Sequence, residues 1–352
     1  MGCEEIEAAE RLAAAHNSRH SLSRHTRVHE PLRIWVTGWR KVWTFARVLV
    51  AKRRRVLSQD EFVAQVRQLQ REAAQNEHLE AKTVALWKTE VLGFILAKRG
   101  GPDTTLQDEQ IPQEVQPIIH VGFGAGVAEA TRFQLEELQE RLERQCHPAF
   151  RLFAYEPVGG ILAAYSTRVR WIRRIVSRVT GIEKPRVRSL LALFPDEAGW
   201  LVSHGYGRIL YFKCLTLRSA LLRATTDKRL EASAAVQAIA FAYVMVNHKD
   251  LETILESPLT QDSSPLNYWF DRGVVYGLSF WEWFCPGFIE SFELRGGRRA
   301  RLLLAARTER RANQITRNLA PFALRKSDHP SPYDLPVESE TLERIIPGSD
   351  SH

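Results

Sequence analysis

Five polar residues each lead a run of glycines, other small residues and apolar residues. They are His120 in His120-Val-Gly-Phe-Gly-Ala-Gly, Glu156 in Glu156-Pro-Val-Gly-Gly, His204 in His204-Gly-Tyr-Gly-Arg, Gln237 in Gln237-Ala-Ile-Ala, and Asp271 in Asp271-Arg-Gly-Val-Val-Tyr-Gly. Imidazoles and carboxylates brought to one place can pass protons or hold a metal. If the runs stack as equivalent units, His120, Glu156, His204 and Asp271 would line one edge or lumen. Arg208 and Tyr276, a few residues further on, would then orient an anionic or aromatic ligand. The alternative is that the leading residues cap helices or bond loops. Whether the chain is an enzyme stays open.

Other chemical signatures are missing from the sequence. Ile118-Ile-His-Val-Gly-Phe-Gly-Ala-Gly resembles a strand entering a dinucleotide loop, but the third glycine of G-x-G-x-x-G would fall on Val127. There is no phosphate-loop lysine motif, no H-E-x-x-H and no G-x-S-x-G. Cys3, Cys146, Cys214 and Cys285 form no C-x-x-C pair. We therefore expect no metal site and no cofactor, with reduced thiols in the cytoplasm.

The elements between the runs are amphipathic at helical spacing, and strand-like alternation is scarce. The expected fold is mainly α: repeated helical pairs with Gly/Ala-rich motifs, solenoid-like or packed as a compact helical domain. The runs begin 33 to 48 residues apart, the range of helical-pair repeats. Glycine inside a helix costs about 1 kcal/mol against alanine. Its repeated use means either close backbone approach or a turn before each helix. Ser58 with Glu61 forms a capping box, and Gly100-Gly101-Pro102 ends a helix. The expected organisation is a polar arm over 1–30, an N-terminal helical region over 31–101, a helical core over 102–320 and a disordered tail over 325–352.

A helix over 31–57, opened by Pro31, sets Trp35, Trp39 and Trp43 in one stripe beside Arg40 and Lys41 and ends in Lys52-Arg-Arg-Arg55. This composition suits a helix lying in a membrane interface. It also suits one docked on its own domain under lysine and arginine stems. We take these five residues as candidates for a membrane or partner surface. The formal net charge of +8 is compatible with nucleic acid, an anionic membrane surface or an acidic partner and alone decides little; nucleic acid is not expected. No stretch reaches about 18 uncharged apolar residues. Ala232 to Val246 and Gly273 to Ile289 read as buried core helices.

From about residue 80 to 295 the runs, in this order, resemble a bacterial family found in enediyne-type polyketide gene clusters. His120 to Ala128, Phe150 to Tyr165, His204 to Phe212, Ala235 to Val246 and Asp271 to Gly277 each resemble a family segment. The chain departs from the family pattern at Glu156-Pro157 and at His204, and the first motif is barely visible around Leu86 to Ala97. The resemblance implies an accessory role in secondary metabolism and no catalytic residues. The expected partner is a hydrophobic polyketide-derived small molecule, bound or shielded, or other proteins of the pathway. An enzyme using the His/Glu/Asp edge, and a scaffold or membrane-surface protein using the tryptophan helix, are the alternatives.

Overall fold

The computed structural model describes residues 24–51, 57–76, 78–99, 104–165, 194, 196–248, 254, 265–284 and 288. The expected tail and most of the N-terminal arm lie outside them. Among the described residues the protein is mainly helical, with ten α-helices and no strand. They are α1 (Arg24–Ala51), α2 (Gln59–Gln75), α3 (Leu79–Arg99), α4 (Gln116–Ala130), α5 (Leu135–Gln145), α6 (Glu156–Tyr165), α7 (Asp196–Cys214), α8 (Leu217–Thr226), α9 (Ala232–Asn247) and α10 (Pro265–Phe284).

Local signals explain several boundaries. The Ser58 hydroxyl accepts the Glu61 N–H (3.3 Å), and the Glu61 carboxylate accepts the Ser58 N–H (3.2 Å), so α2 opens with the expected capping box. Helix α3 ends at Arg99, immediately before Gly100. Between α4 and α5, Arg132 and Phe133 take left-handed φ of 51° and 59°. Helix α5 therefore starts beyond them, at Leu135. Helix α1 begins at Arg24, not at Pro31, and carries Pro31 inside it. This costs the one intrahelical bond that proline, which has no N–H, cannot give.

Three helix pairs, α3–α4, α6–α7 and α9–α10, repeat one crossing. A Cβ on Gly122 would sit 2.7 Å from the Glu90 carbonyl carbon, one on Gly205 2.7 Å from that of Glu156, and one on Gly273 2.9 Å from that of Gln237. Glu90-Val-Leu-Gly93, Glu156-Pro-Val-Gly159 and Gln237-Ala-Ile-Ala240 are thus equivalent stretches on the first helices. Consecutive pairs join by a second repeated contact. Gly124 faces the Ala154 backbone and Gly207 faces the Ala235 backbone, two residues before Glu156 and Gln237 respectively. Close approach, and not a turn, accounts for these glycines. Because each backbone meets the next at small residues, van der Waals contact is gained along whole helices.

This register sorts the five leading residues into two classes. Glu156 and Gln237, joined by Glu90, lead first helices. His120 and Asp271, joined by Ser203, lie two residues before the crossing glycine of second helices. His204 stands one place beyond that position. One apolar core runs from Phe62 on α2 to Trp281 on α10. The expected division at 101/102 falls between α3 and α4, which cross backbone to backbone within that core.

Helix α1 lies across this array. The Glu30 carboxylate accepts the Tyr211 hydroxyl (3.0 Å) and the Leu217 N–H (3.1 Å). Arg33 donates to the Asn247 side-chain oxygen (3.1 Å). Lys41 Nζ lies 2.7 and 3.0 Å from the two Glu90 oxygens. Ile34 and Thr44 are buried on the same inward side. One face therefore reaches α3, α7, the start of α8 and α9, largely through polar side chains.

Candidate functional site

The helix pairs place two features worth chemical attention: a buried polar cluster on α6 and α7, and a groove beside α1.

The cluster is built by the second pair. Trp200, His204 and Arg208 follow at one-turn spacing on α7, facing Glu156 at the start of α6. Arg208 Nη2 lies 2.8 Å from Glu156 Oε2, and His204 Nδ1 lies 3.6 Å from Glu156 Oε1. Trp200 stacks on the His204 ring with centroids 5.7 Å apart, and Phe241 and Tyr276 stand 6.4 Å from it. Burial opposes ionisation of Glu156, but Arg208 and His204 outweigh it, and the carboxyl stays below its ordinary range. Burial pushes His204 down despite Glu156, so the imidazole is neutral at pH 7. An arginine–carboxylate pair with a neutral histidine packed among rings is stable at that pH. His204 is 1% exposed.

His120 has a different task. Its Nε2 accepts the His147 N–H (3.0 Å), so the proton sits on Nδ1, which donates to the Gln116 carbonyl (2.8 Å). Both nitrogens are used, and burial pulls the group down to about 4. Ser203, its equivalent in the second pair, accepts the Glu231 N–H (3.1 Å) just ahead of α9. In both pairs this position pins the backbone that leads towards the next pair. Asp271 occupies the same position on α10 and is 2% exposed.

Glu156, His204, Arg208 and Tyr276 therefore come together, while His120 is engaged elsewhere. Among the first-helix residues, Glu90 pairs with Lys41 from α1. Gln237 is fully buried, and among the described residues neither of its side-chain polar atoms has a hydrogen-bond partner. The sequence reading missed Glu90. The recurrence of Glu/Gln-x-x-Gly/Ala was the signal that marked it. Lys41, expected on an outer surface, is turned towards Glu90, and Arg40 is exposed and meets Glu80 at 3.0 Å. Among the described residues no group of three or more His, Cys, Asp or Glu could hold a metal ion.

The groove holds about 1510 Å³ and runs between α1, α2, α3 and the C-terminal end of α9. Val36, Leu69, Val84, Trp87, Leu92 and Met245 give it apolar walls, while Arg33, Arg40, Arg47, Lys88, Glu72 and Glu80 bring charge. Its lining includes none of His120, Glu156, His204, Arg208, Asp271 and Tyr276. It does include Trp43 and Arg40 of the expected surface. Trp35, Trp39 and Trp43 are themselves 57%, 54% and 62% exposed. No helix among the described residues is long and apolar enough to cross a membrane. No protein-family model, no curated protein and no solved structure matches the chain.

Proposed function

We propose that the protein is an accessory binding protein that holds an elongated, mainly apolar small molecule in the groove beside α1. The observation that carries this reading is the groove itself. At about 1510 Å³ it exceeds the few hundred to ~1,000 Å³ of ordinary small-molecule pockets. Its walls combine aliphatic and aromatic surface with six charged side chains, groups that can bury an apolar body and fix a polar end. The resemblance to the enediyne-cluster family supports a polyketide-derived molecule as the occupant, bound or shielded in bacterial secondary metabolism.

The His204–Glu156 pair does not favour catalysis. A proton-transferring group must come within hydrogen-bond reach of its substrate, and His204 is enclosed by Trp200, Phe241 and Tyr276.

The test uses Nile red as an apolar probe on the full chain. Val84→Trp and Leu69→Trp fill the groove from two sides, and each is expected to weaken probe binding at least about tenfold. His204→Gln is expected to leave it unchanged. Equal binding by the parent and both groove variants would reject the groove as the site. Native mass spectrometry of the purified parent, compared with Val84→Trp, would show whether a small molecule travels with the protein.

A further inference from the structure

Helix α1 is amphipathic in the reverse sense for a helix attached to a globular domain. Such a helix usually buries its apolar stripe in the core and shows its charges to water. Here Glu30, Arg33 and Lys41 face the domain and bond to it. Leu32, Trp35, Trp39, Val42, Trp43 and Val50 face outward, each 54–71% exposed. At about 100° per residue these six fall in one sector roughly 100° wide that runs from Leu32 to Val50. The stripe is continuous, and among the described residues nothing covers it.

The charge that α1 itself sets beside the stripe is basic, while Glu72 and Glu80 lie across the groove. Glu30 is the only acidic residue of α1, and it is spent on Tyr211 and Leu217. Arg40 and Arg47 are exposed on one flank of the stripe, Arg40 sharing its charge with Glu80. In the sequence Lys52, Arg53, Arg54 and Arg55 follow directly, and the whole chain carries +8. Tryptophan is the residue that settles at the headgroup level of a bilayer, and basic flanks add attraction to anionic lipid. A second copy of this chain is a poorer occupant. A twofold interface on this face would set the cationic flanks of two copies near one another.

We propose that the outward face of α1 seats the protein on an anionic bilayer surface. The helix lies flat, and its stripe from Leu32 to Val50 makes a footprint about 27 Å long at 1.5 Å per residue. The Lys41–Glu90, Arg33–Asn247 and Glu30–Tyr211 contacts hold it there from behind. Leu32, Arg40 and Trp43 also line the groove, so its mouth lies at the lipid surface. The seat stands whether or not the groove binds a small molecule.

The experiment is flotation of the full chain with vesicles of phosphatidylcholine alone and of phosphatidylcholine with 30% phosphatidylglycerol, at low and high salt. The parent is expected to float with the anionic vesicles, and less so at high salt. Trp35→Ala/Trp39→Ala/Trp43→Ala is expected to lose at least about tenfold in partitioning, with circular dichroism and Tm unchanged. Brominated lipids are expected to quench tryptophan emission in the parent, a readout that needs no variant. Failure of the parent to float, equal flotation of the triple variant, or absence of quenching would each overturn the proposal. So would a parent that is dimeric in solution, becomes monomeric on the triple substitution and ignores vesicles.

Discussion

Gly205→Ala separates the local preference of the chain from the packing of the fold. By propensity alone alanine should stabilise α7 by about 1 kcal/mol. In the folded protein the new methyl would lie 2.7 Å from the Glu156 carbonyl carbon and 3.1 Å from the Gly160 nitrogen, and closer still to the Glu156 oxygen. Carbon atoms prefer about 3.5–4.0 Å, and neither neighbour is a flexible side-chain end, so α6 and α7 must part by at least about 1 Å, the Glu156 oxygen setting the larger demand. A gap of that size forfeits a quarter to a half of each contact it opens, and overpacking of this kind costs about 1–3 kcal/mol or somewhat more. The separation also strains the Glu156–Arg208 pair, which bridges the same two helices. After the propensity gain, the expected net loss is about 2 kcal/mol. That corresponds to roughly 4–8 °C in Tm if the unfolding unit is of ordinary domain size. Gly38→Ala is the control. Among the described residues its methyl would meet only the Phe212 ring, at 3.7 Å, an ordinary contact, so it should be neutral or stabilise by up to about 1 kcal/mol. Thermal and urea unfolding of the two variants against the parent decide the matter. A Gly205→Ala protein as stable as Gly38→Ala would refute the close crossing, and with it the repeat register.

Other outcomes follow from the same packing. Lys41→Met leaves the Glu90 carboxylate buried without its cation, and should cost about 1–3 kcal/mol after allowance for the partial exposure of Lys41. Adding Glu90→Gln should recover much of that loss in urea melts, and no recovery would mean that the pair does not join α1 to the array. Stability should fall between pH 6.5 and about 4. The unfolded His120 gains a proton from about 6.5 downward while the folded one resists until about 4, a difference of roughly 3 kcal/mol. His204, also held low, adds to the fall, and Glu156 loses its contribution as pH drops through its depressed folded value. Urea melts of His120→Gln should show a shallower pH dependence than the parent, and an identical slope would reject the assignment. Gln237→Leu removes a buried amide that has no hydrogen-bond partner and should raise stability by about 1–2 kcal/mol. A marked loss in thermal unfolding would show instead that the amide is bonded in solution.

Periodicity and punctuation were legible in the sequence because both act over a single helix turn. The mainly α character, the capping box at Ser58 and Glu61 and the burial of α9 all follow from spacings of three or four residues or from one residue's backbone preference. The repeated small residues could be seen, and so could the cost of placing them in helices. Which of them are equivalent could not be read off. Equivalence is set by which carbonyl a glycine faces across a crossing, and that partner lies 30 or more residues away in the chain. The sequence therefore grouped His204 with His120, where the fold groups Ser203 with His120 and Glu90 with Glu156.

The tryptophan stripe marks the limit most clearly. A spacing of four residues determined that Trp35, Trp39 and Trp43 share a face. It could not determine whether that face looks inward or outward, because an amphipathic helix has the same pattern in either setting. Tertiary structure decided it through distant partners: Tyr211 and Leu217 for Glu30, Asn247 for Arg33 and Glu90 for Lys41. Those contacts take up the polar side of α1 and leave its apolar side to the surroundings.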